Sequence, residues 1–497
     1  MGRAGISDLR DRGRDVGRYG PPRASSAAWR GLSTFQWSIL SGGIAAAGFL
    51  LWFRPDTLAP FAVAGAATTF LAVSMWRVLL VIVSAPIGAP EPAAVVLPRY
   101  TVLVALHDEA EVMDQLVRRL ARIDYPTDRL QGLLILEPHD HQTIAAALAA
   151  PRPQWLDVFV APAGHPQTKP RALNCALPHV TGELLTVYDA EDEPDPLQLR
   201  EAAARFAADA GDRLACLQAP LRIRRRHPAR DASPFLDRQF AAEYASLFET
   251  LLPGMTRLGL PFPLGGTSNH FRVDVLREVG GWDAFNVTED ADLGFRLWAE
   301  GWRLGVMSRP TWETPPGPIS DWLPQRTRWL KGYMQTWGVH TRRPWWLGLR
   351  GAFALLMTVG VGVASASVHG PSLAWVAATV LVAAMAGLSP ETPMLALGVM
   401  ILGAGSAWLS CAIGTRRAGV PYSASDMIAA PAYWALQSLA ALHAAWRLVR
   451  EPFAWDKTPH RRDLPVAETT SSAYTALDET APNRLSAGHA AAPQPVA

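Results

Sequence analysis

Apolar positions are concentrated in two parts of the chain, and a polar stretch, residues 99–345, separates them. The first apolar part, 35–86, contains two runs that are each long enough to span about 30 Å of hydrocarbon. The second part, 350–448, contains candidate spans at 351–368, 372–389, 392–413 and 425–448. This pattern predicts two transmembrane helices before the polar stretch and about four after it.

Within the polar stretch, short apolar runs typical of strands alternate with segments of helical periodicity. The strand-like runs are 100–106, 133–136, 155–161 and 184–188, and the helical segments are 111–123, 143–150 and 171–178. Such alternation is typical of an α/β domain with parallel strands. We therefore predict a mixed, mainly parallel sheet flanked by helices, inserted between the two sets of membrane helices. Ligands of such sheets bind at the carboxyl ends of the strands.

The remaining segments predict linkers and tails. Residues 1–34 carry seven Arg against three Asp and are predicted to be disordered and cytoplasmic. The apolar run that follows begins too late for a cleavable signal peptide. Residues 87–98 are rich in proline, which predicts a linker. Residues 449–497 are predicted to return to the cytoplasm and to end in a disordered tail that is poor in large apolar side chains.

Composition narrows the classes of function. The formal net charge of the 497 residues is +2, so no overall field indicates nucleic acid binding. The three cysteines, Cys175, Cys216 and Cys411, lack the spacing of metal ligands, and the first two are predicted to be reduced core residues. Abundant Ala, Arg and Trp are typical of a GC-rich bacterium. We expect a protein of the bacterial plasma (inner) membrane with its polar domain in the cytoplasm.

Acidic residues follow the predicted strands. His107-Asp108-Glu109, Glu137 and Asp189 each lie at the carboxyl end of a strand-like run. Asp189 and Glu191 are two apart on an extended segment, so their side chains point the same way. Two converging carboxylates suit Mg²⁺ or Mn²⁺, which take oxygen ligands and bridge to phosphates. A solvated acidic loop is the alternative interpretation.

A second acidic cluster, Thr288-Glu289-Asp290, precedes a segment of helical periodicity. Thr288 is a candidate N-cap for that helix. The helix dipole stabilises a charged carboxylate in the first turn, which suits a general base that must be ionised to accept a proton. The ordinary enrichment of acidic residues at helix starts explains the cluster equally well.

Gln325, Arg328 and Trp329 are spaced at i, i+3 and i+4, so on a helix they share one face. Arginine can neutralise a diphosphate, and tryptophan offers an apolar plate for a sugar ring. A helix at a membrane interface would carry Trp and Arg in any case.

Two weaker signals lie between these clusters. Lys169 and Arg171 precede Asn174 and could meet phosphates of a donor, although a solvated basic turn fits the spacing equally well. The segment 265–269, Gly-Gly-Thr-Ser-Asn, permits a close approach of backbone to a ligand. It could also be a simple loop.

These motifs in this order resemble the membrane-integrated glycosyltransferase family 2, which includes cellulose, hyaluronan and chitin synthases. The resemblance covers about residues 100–345 and the flanking helices, and it implies a GT-A-type fold. Thr288-Glu289-Asp290 together with Gln325-x-x-Arg328-Trp329 carries most of it. It implies donor binding at Asp108, Glu109 and Glu137, a metal at Asp189 and Glu191, a catalytic base at Asp290, and diphosphate and acceptor contacts at Arg328 and Trp329.

The chain departs from the family pattern in several places. Glu191 stands where Asp is usual, and Glu137 lies in Leu-Glu-Pro-His-Asp rather than in an Asp-Asp-Gly turn. The gating segment Phe-x-Val-Thr-x-Lys is only echoed by residues 453–460. No cyclic-di-GMP-binding domain follows the last apolar segment.

Taken together, the sequence predicts an inverting transferase that moves a sugar from a nucleotide-sugar, expected to be a UDP-sugar, to a growing β-linked polysaccharide. The full candidate set is Glu289 and Asp290 for catalysis; Asp108, Glu109, Glu137, Lys169, Arg171, Asn174, Asp189 and Arg328 for the donor; Thr288, Gln325 and Trp329 for the acceptor; and Asp189 and Glu191 for Mg²⁺ or Mn²⁺. A single-turn transferase onto a lipid and an inactive glycan transporter or binding subunit are the alternatives. Membrane lipids and polysaccharide-export proteins are expected partners, and nucleic acid is not.

Overall fold

The structure is a computed structural model that describes residues 28–53, 55–88, 96–209, 211, 213–224, 234–387 and 394–455. All of these residues lie within one compact unit. Most of the predicted N-terminal disordered segment, most of the linker and the predicted C-terminal tail lie outside the described residues.

The described residues form ten strands in two sheets. The strands are β1 (Tyr100–Leu106), β2 (Leu130–Leu136), β3 (Leu156–Val160), β4 (Leu184–Tyr188), β5 (Glu193–Pro194), β6 (Leu214–Gln218), β7 (Leu221–Ile223), β8 (Asn269–Arg272), β9 (Arg303–Val306) and β10 (Thr311–Glu313). The larger sheet has the order β3-β2-β1-β4-β8-β6-β9, and the smaller sheet the order β5-β10-β7. In the larger sheet only β8 runs antiparallel to its neighbours. The predicted mixed, mainly parallel α/β sheet is therefore confirmed.

Fifteen α-helices are described, and we number them in chain order. They are α1 (Thr34–Phe53), α2 (Pro55–Val83), α3 (Met113–Leu120), α4 (His141–Ala149), α5 (Lys169–Ala176), α6 (Gln198–Ala207), α7 (Pro234–Ser246), α8 (Leu252–Arg257), α9 (Val273–Glu278), α10 (Glu289–Ala299), α11 (Ile319–His340), α12 (Gly348–Leu355), α13 (Val361–Met385), α14 (Met394–Ala418) and α15 (Ala424–Arg450). A π-helical turn joins α7 to α8, and another joins α12 to α13.

The core lies on both faces of the larger sheet. Val102 and Val104 of β1 belong to one buried cluster, and Leu103 between them belongs to another. Because successive side chains of a strand point to opposite faces, a strand that is covered on both faces is apolar throughout. This explains why β1 reads as a continuous apolar run, and it leaves the strand ends as the accessible part of the sheet.

The C-terminal apolar part differs from the prediction of about four helices, because three helical stretches are described after Arg343. The expected spans 351–368 and 372–389 form one continuous stretch, Pro344–Met385, despite Pro371. Gly370 N donates to Ser438 Oγ on α15, and Ser438 Oγ donates to Ala366 O. The neighbouring helix thus satisfies backbone groups that the proline disturbs, which is how apolar helices tolerate proline.

Pro344–Met385 is the one helix in the described part of the chain that is long and apolar enough to cross a membrane. Ala67–Val83 is a shorter apolar helix. The number and placement of the other membrane segments therefore stay predictions.

Candidate active site

The carboxyl end of β4 carries the first part of the site. Asp189 follows the strand and accepts a hydrogen bond from Lys169 Nζ, which also donates to Gly266 O at 2.7 Å. Burial alone would lower the pKa of Lys169, but the carboxylates of Asp189 and Glu289 outweigh it and raise this pKa. The predicted donor-binding lysine and the predicted metal ligand are therefore direct partners, with the lysine held in its charged form.

Asp192, which the candidate set omits, lies at the centre of this acidic segment. It is fully buried and accepts hydrogen bonds from Asp189 N, at 2.7 Å, and from Thr267 Oγ1. Burial, together with the charge of Asp189, raises the pKa of Asp192 to about 8. Its Oδ1 has no hydrogen-bond partner among the described residues. The sequence shows Asp192 as one of several acidic residues in this segment, and it does not indicate that Asp192 alone among them is buried.

Glu313 joins the same acidic cluster from a distant part of the chain. It ends β10 and is buried, and burial together with the charges of Asp192 and Glu191 raises its pKa well above the usual value. The sequence does not indicate a role for Glu313, because the acidic residues that surround it lie more than 100 positions earlier in the chain. It thereby brings a further carboxyl group, which burial favours in its neutral form, near Asp189 and Glu191.

The acidic cluster fits a divalent cation in part. No group of three or more His, Cys, Asp or Glu side chains in the described ranges has a metal-binding arrangement. Mg²⁺, however, is usually held by one or two carboxylates together with phosphate oxygens of a substrate. Asp189 and Glu191 supply the former, and a cation bound beside them would favour the ionised forms of Asp192 and Glu313, whose pKa values are raised by burial. The residues present therefore fit a metal ion whose remaining ligands would be phosphate oxygens of the donor.

Thr288 does not act as the predicted N-cap of α10, because its side chain makes no capping hydrogen bond. Its Oγ1 lies 3.4 Å from Asn286 Oδ1 instead, and its methyl group packs against α11 at Gly332. A Cβ at Gly332 would lie 2.4 Å from Thr288 Cγ2, far inside contact distance. The absence of a side chain at Gly332 thus lets α11 rest directly on the start of α10.

Glu289 and Asp290, in the first turn of α10, have different charge states. Burial raises the pKa of Asp290 to about 6, against the lowering effect of Lys169 and Arg328. Burial and the adjacent charge of Asp290 raise the pKa of Glu289 to about 8. The pair therefore retains a proton near neutral pH, and Glu289 holds it more firmly than Asp290, which leaves Asp290 as the better proton acceptor.

Asp290 lies beside the backbone that Lys169 binds. A Cβ built on Gly266 would lie 3.2 Å from Asp290 Oδ2, so the carboxylate faces this glycine closely. Asp290 Oδ1 accepts a hydrogen bond from Ala291 N at 2.7 Å. The 265–269 segment is therefore the meeting point of the β4 and α10 motifs, as close backbone approach at glycine permits.

Helix α11 presents Arg328 and Trp329 to different surroundings. The Arg328 guanidinium lies 4.7 Å from the centre of the Trp455 ring, and its charge lowers the pKa values of Glu289 and Asp290. Its Nε is buried with no hydrogen-bond partner among the described residues. Trp329 stacks on Phe240 at 5.9 Å, and Gln325 is half-buried. Arg328 and Trp329 therefore contact different parts of the protein.

The described part of the segment that echoes a gating motif packs against the same helix. Lys331 Nζ donates to Ala454 O at 2.7 Å, and Gln335 Nε2 donates to Pro452 O at 2.8 Å. The end of this echo, residues 456–460, lies outside the described residues. Residues 451–455 thus lie next to Arg328.

The remaining donor candidates are held by other protein groups. Glu137 and Arg171 form a buried ion pair at 3.6 Å. Asn174 binds the backbone of Trp282 with both amide atoms, at 2.6 and 3.0 Å. These contacts give Glu137, Arg171 and Asn174 partners inside the domain, and their roles in donor binding stay predictions.

The end of β1 is organised by Asp140, another residue that the candidate set omits. Its Oδ2 accepts from Asp108 N at 2.6 Å, and its Oδ1 accepts from Thr143 N at 3.1 Å. Glu109 N donates to Thr143 Oγ1 at 2.9 Å. Asp108 is exposed with φ of 59°, a conformation that Asp adopts more readily than most residues. Asp140 therefore fixes the backbone that carries both predicted donor-binding acids.

Known proteins share these elements. A family model described as Glycosyl transferase family group 2 matches residues 184–402, which run from β4 through the α10 and α11 motifs. Residues 184–402 are therefore similar to this family of glycosyltransferases. This match, with relatives that are themselves glycosyltransferases, confirms the enzyme class predicted from the sequence.

Three curated proteins illustrate the similarity of this domain. Beta-monoglucosyldiacylglycerol synthase of Synechocystis sp. is 28% identical over 262 residues, 51% of this chain and 52% of that protein. Probable glycosyltransferase YdaM of Bacillus subtilis is 24% identical over 48% of this chain and 55% of its own length. Cellulose synthase 1 catalytic subunit, UDP-forming, of Komagataeibacter xylinus is 24% identical over 49% of this chain and 32% of that protein. The chain spans about half the length of the first two relatives.

Among solved structures, the mannosyltransferase PcManGT from Pyrobaculum calidifontis, in complex with GDP-Man and Mn²⁺, covers 71% of this chain and 96% of its own. The TM-score is 0.42 and the identity 18%.

Proposed function

We propose that this glycosyltransferase domain moves a sugar from a nucleotide-sugar, a UDP-sugar in the first instance, to an acceptor hydroxyl with inversion at the anomeric carbon. One observation carries the proposal. A carboxylate that accepts protons near neutral pH, Asp290, faces Gly266 beside the Lys169–Asp189 pair, with Arg328 close by. A base next to a site for a diphosphate is the arrangement that a single displacement needs.

The proposed reaction is one displacement. Asp290 takes the proton of the acceptor hydroxyl, and the oxygen forms a bond to the anomeric carbon from the face opposite the diphosphate. The bond between that carbon and the diphosphate oxygen breaks, and its electron pair leaves with the nucleoside diphosphate. Lys169 and Arg328 supply positive charge where the leaving group gains negative charge.

Asp189 and Glu191 are the residues that would hold Mg²⁺ or Mn²⁺. When bound, such an ion neutralises charge that develops on the diphosphate. The Lys169 Nζ contact with Asp189 fixes the position of this carboxylate, so the chain itself orients a ligand before a donor arrives. If the metal is needed, excess chelator should abolish transfer, and added Mn²⁺ or Mg²⁺ should restore it.

A growing β-linked polysaccharide is the acceptor that we propose, with its terminal sugar on Trp329. The support is the position of this half-buried ring, which stacks on Phe240, whereas Arg328 contacts Trp455. A diacylglycerol-type lipid is the second candidate, because the relative from Synechocystis sp. bears the name of a glucosyldiacylglycerol synthase and is 28% identical over half of each chain. In both cases we place the domain on the cytoplasmic side of a bacterial plasma membrane, anchored by the apolar helices.

The test uses the full chain in detergent with Mn²⁺ and a radiolabelled donor, UDP-glucose, UDP-N-acetylglucosamine or GDP-mannose. The acceptors are cellotetraose and micellar dioleoylglycerol. Transfer from a UDP-sugar to cellotetraose is the expected result, and the Asp290→Asn variant is the matched control that keeps the shape of the site. Transfer only to dioleoylglycerol would replace the polysaccharide hypothesis by the lipid one. The absence of both transfer and donor hydrolysis would overturn the proposed function and favour a transporter or binding subunit.

A further inference from the structure

A second arginine of α11, Arg326, is more deeply buried than the motif residues Gln325, Arg328 and Trp329. It is 6% exposed, and its guanidinium forms two parallel hydrogen bonds to Glu243 on α7, at 2.8 and 2.7 Å. The same guanidinium donates to the Tyr433 hydroxyl on α15 at 2.9 Å, and this hydroxyl donates to Glu243 at 2.6 Å. Three helices therefore meet at one closed set of polar contacts, which we call the Arg326 network.

The Arg326 network lies against the ring of Trp329. The Arg326 guanidinium carbon is 4.6 Å from the Trp329 ring centre, a distance at which a cation is attracted by the face of the ring. Phe240 and Tyr244, one turn apart on α7, lie 5.9 and 6.2 Å from the same ring at interplanar angles of 30° and 33°. The indole thus contacts a fixed cation and two tilted aromatic rings, and it remains only half-buried.

We propose that Arg326, fixed by Glu243 and Tyr433, is a positioning residue that sets the plane of the Trp329 ring and thereby the way an acceptor sugar stacks on it. This inference rests on the proposed function, in which Trp329 receives the acceptor. The geometry requires the planar fork of arginine, because a lysine keeps the charge but cannot make two parallel bonds to a carboxylate. Arg328, two residues away, faces Trp455 and the carboxylates of α10, so the two arginines have separate tasks.

The alternative is that the network only ties α7, α11 and α15 together. A purely structural role would lower the amount of folded enzyme and kcat, and its effects would add to those of a change at Trp329. A positioning role acts through Trp329, so its effects should disappear once the indole is gone, as expected for residues in contact.

The kinetic test is a double-mutant cycle with UDP-glucose as donor and cellotetraose as acceptor, in saturating Mn²⁺. We expect Arg326→Lys to raise the KM for the acceptor about tenfold and to leave the KM for the donor unchanged. In the Trp329→Ala background the same substitution should change the acceptor KM by less than about twofold. Equal effects in both backgrounds would overturn the proposal.

Arg222→Lys is the matched control. Arg222 also forms an ion pair with a glutamate, Glu249 at 2.8 Å, and its guanidinium lies 5.9 Å from the centre of a tryptophan ring, Trp312. Its substitution therefore removes a guanidinium–carboxylate contact near a ring that is not Trp329. We expect it to leave the acceptor KM unchanged, and a rise equal to that of Arg326→Lys would refute a specific role for the Arg326 network.

A second measurement monitors the environment of the Trp329 ring and does not require turnover. In protein labelled with 5-fluorotryptophan, the ¹⁹F resonance of Trp329 is identified by its loss in Trp329→Phe. Arg326→Lys and Glu243→Gln should each shift this resonance, and Arg222→Lys should not. Transfer by the wild type with an unmoved Trp329 resonance in Arg326→Lys would overturn the positioning role alone. If the wild type transfers sugar to neither acceptor and does not hydrolyse the donor, the proposed function is wrong. The positioning role of Arg326, which rests on that function, is then wrong as well.

Discussion

At the scale of single residues, the two neighbouring acids of α10 have opposite protonation at neutral pH. Both are buried, and burial favours the neutral form of each carboxyl. Asp290 stays mainly ionised because its pKa rises only to about 6, whereas the charge beside it raises the pKa of Glu289 to about 8. One acid can therefore accept a proton while its neighbour donates a hydrogen bond.

The first prediction concerns Asp290. Asp290→Asn keeps the shape of the side chain and removes the proton acceptor, so sugar transfer should fall by about 10²–10⁴-fold while donor binding survives. In the wild type, kcat/KM should fall as the pH drops through about 6, because Asp290 is protonated below its pKa. Initial rates from pH 5 to 9 and donor titration by calorimetry measure both effects. Transfer near the wild-type rate in Asp290→Asn would show that another group is the base.

The second prediction separates Glu289 from Asp290. Because Glu289 is mainly protonated at pH 7, glutamine imitates its working form. Glu289→Gln should therefore retain transfer within about threefold of the wild type at pH 7. Initial rates of Glu289→Gln and Asp290→Asn, measured side by side, test this. A loss in Glu289→Gln as large as in Asp290→Asn would mean that the ionised form of Glu289 is required.

At the scale of elements, the site depends on how closely α11 rests on the start of α10. Val287 N donates to Gln335 Oε1 at 3.0 Å, and Asn286 Nδ2 donates to Thr336 Oγ1 at 3.0 Å. Together with the contact of Thr288 on Gly332, these bonds fix the motif that carries the acids against the motif that carries Arg328. The two sequence motifs are therefore one packed unit.

The third prediction tests this packing. Gly332→Ala places a Cβ 2.4 Å from Thr288 Cγ2, so the helices must separate, which should destabilise the fold by about 1–3 kcal/mol and lower transfer. Gly338→Ala, in the same helix, is the control, because the nearest atom is Leu32 Cδ2 at 3.9 Å. It should stabilise the helix by about 0.5–1 kcal/mol. Thermal unfolding and initial rates measure both variants, and equal behaviour of the two would contradict the packing argument.

At the scale of the whole molecule, the sheet brings distant segments to one edge and apolar helices surround it. β1 and β4 are adjacent and parallel, so Asp108 and Asp189 follow strands that end on the same side. The Arg326 network joins α15 to α7 and α11, and thus connects the C-terminal apolar part to the helices beside the sheet. Exposed large apolar side chains, among them Trp52, Leu349, Trp375 and Met385, lie on the apolar helices.

The fourth prediction follows from these exposed side chains. A surface of this kind is expected to be covered by lipid, so the protein should stay in the membrane pellet after an alkaline carbonate wash. Immunoblots of pellet and supernatant, with a peripheral and an integral marker, measure this. Release of the chain with the peripheral marker would contradict membrane integration.

The sequence by itself determined the elements that need only local information. Alternating apolar runs predicted the mixed, mainly parallel sheet, because each strand must be apolar on both of its covered faces. The acidic runs and the Gln325-x-x-Arg328-Trp329 spacing predicted a glycosyltransferase through their resemblance to a known family, which local sequence is enough to reveal. The sequence predicted two spans where the structure has one helical stretch, Pro344–Met385. The hydrogen bonds that carry this helix through Pro371 come from Ser438 on another helix, so no local pattern indicates them.

The tertiary structure decided which candidates face one another. Asp192, Glu313 and Arg326 acquire their surroundings from strands and helices far away in the chain, so no local pattern distinguishes them from solvated charges. Asn174, a candidate donor contact by sequence, uses both amide atoms to bind the backbone of Trp282, 108 residues away, and this contact also has no local signal. Burial and the charge of neighbours set protonation and pairing, and both depend on packing between elements that are distant in sequence.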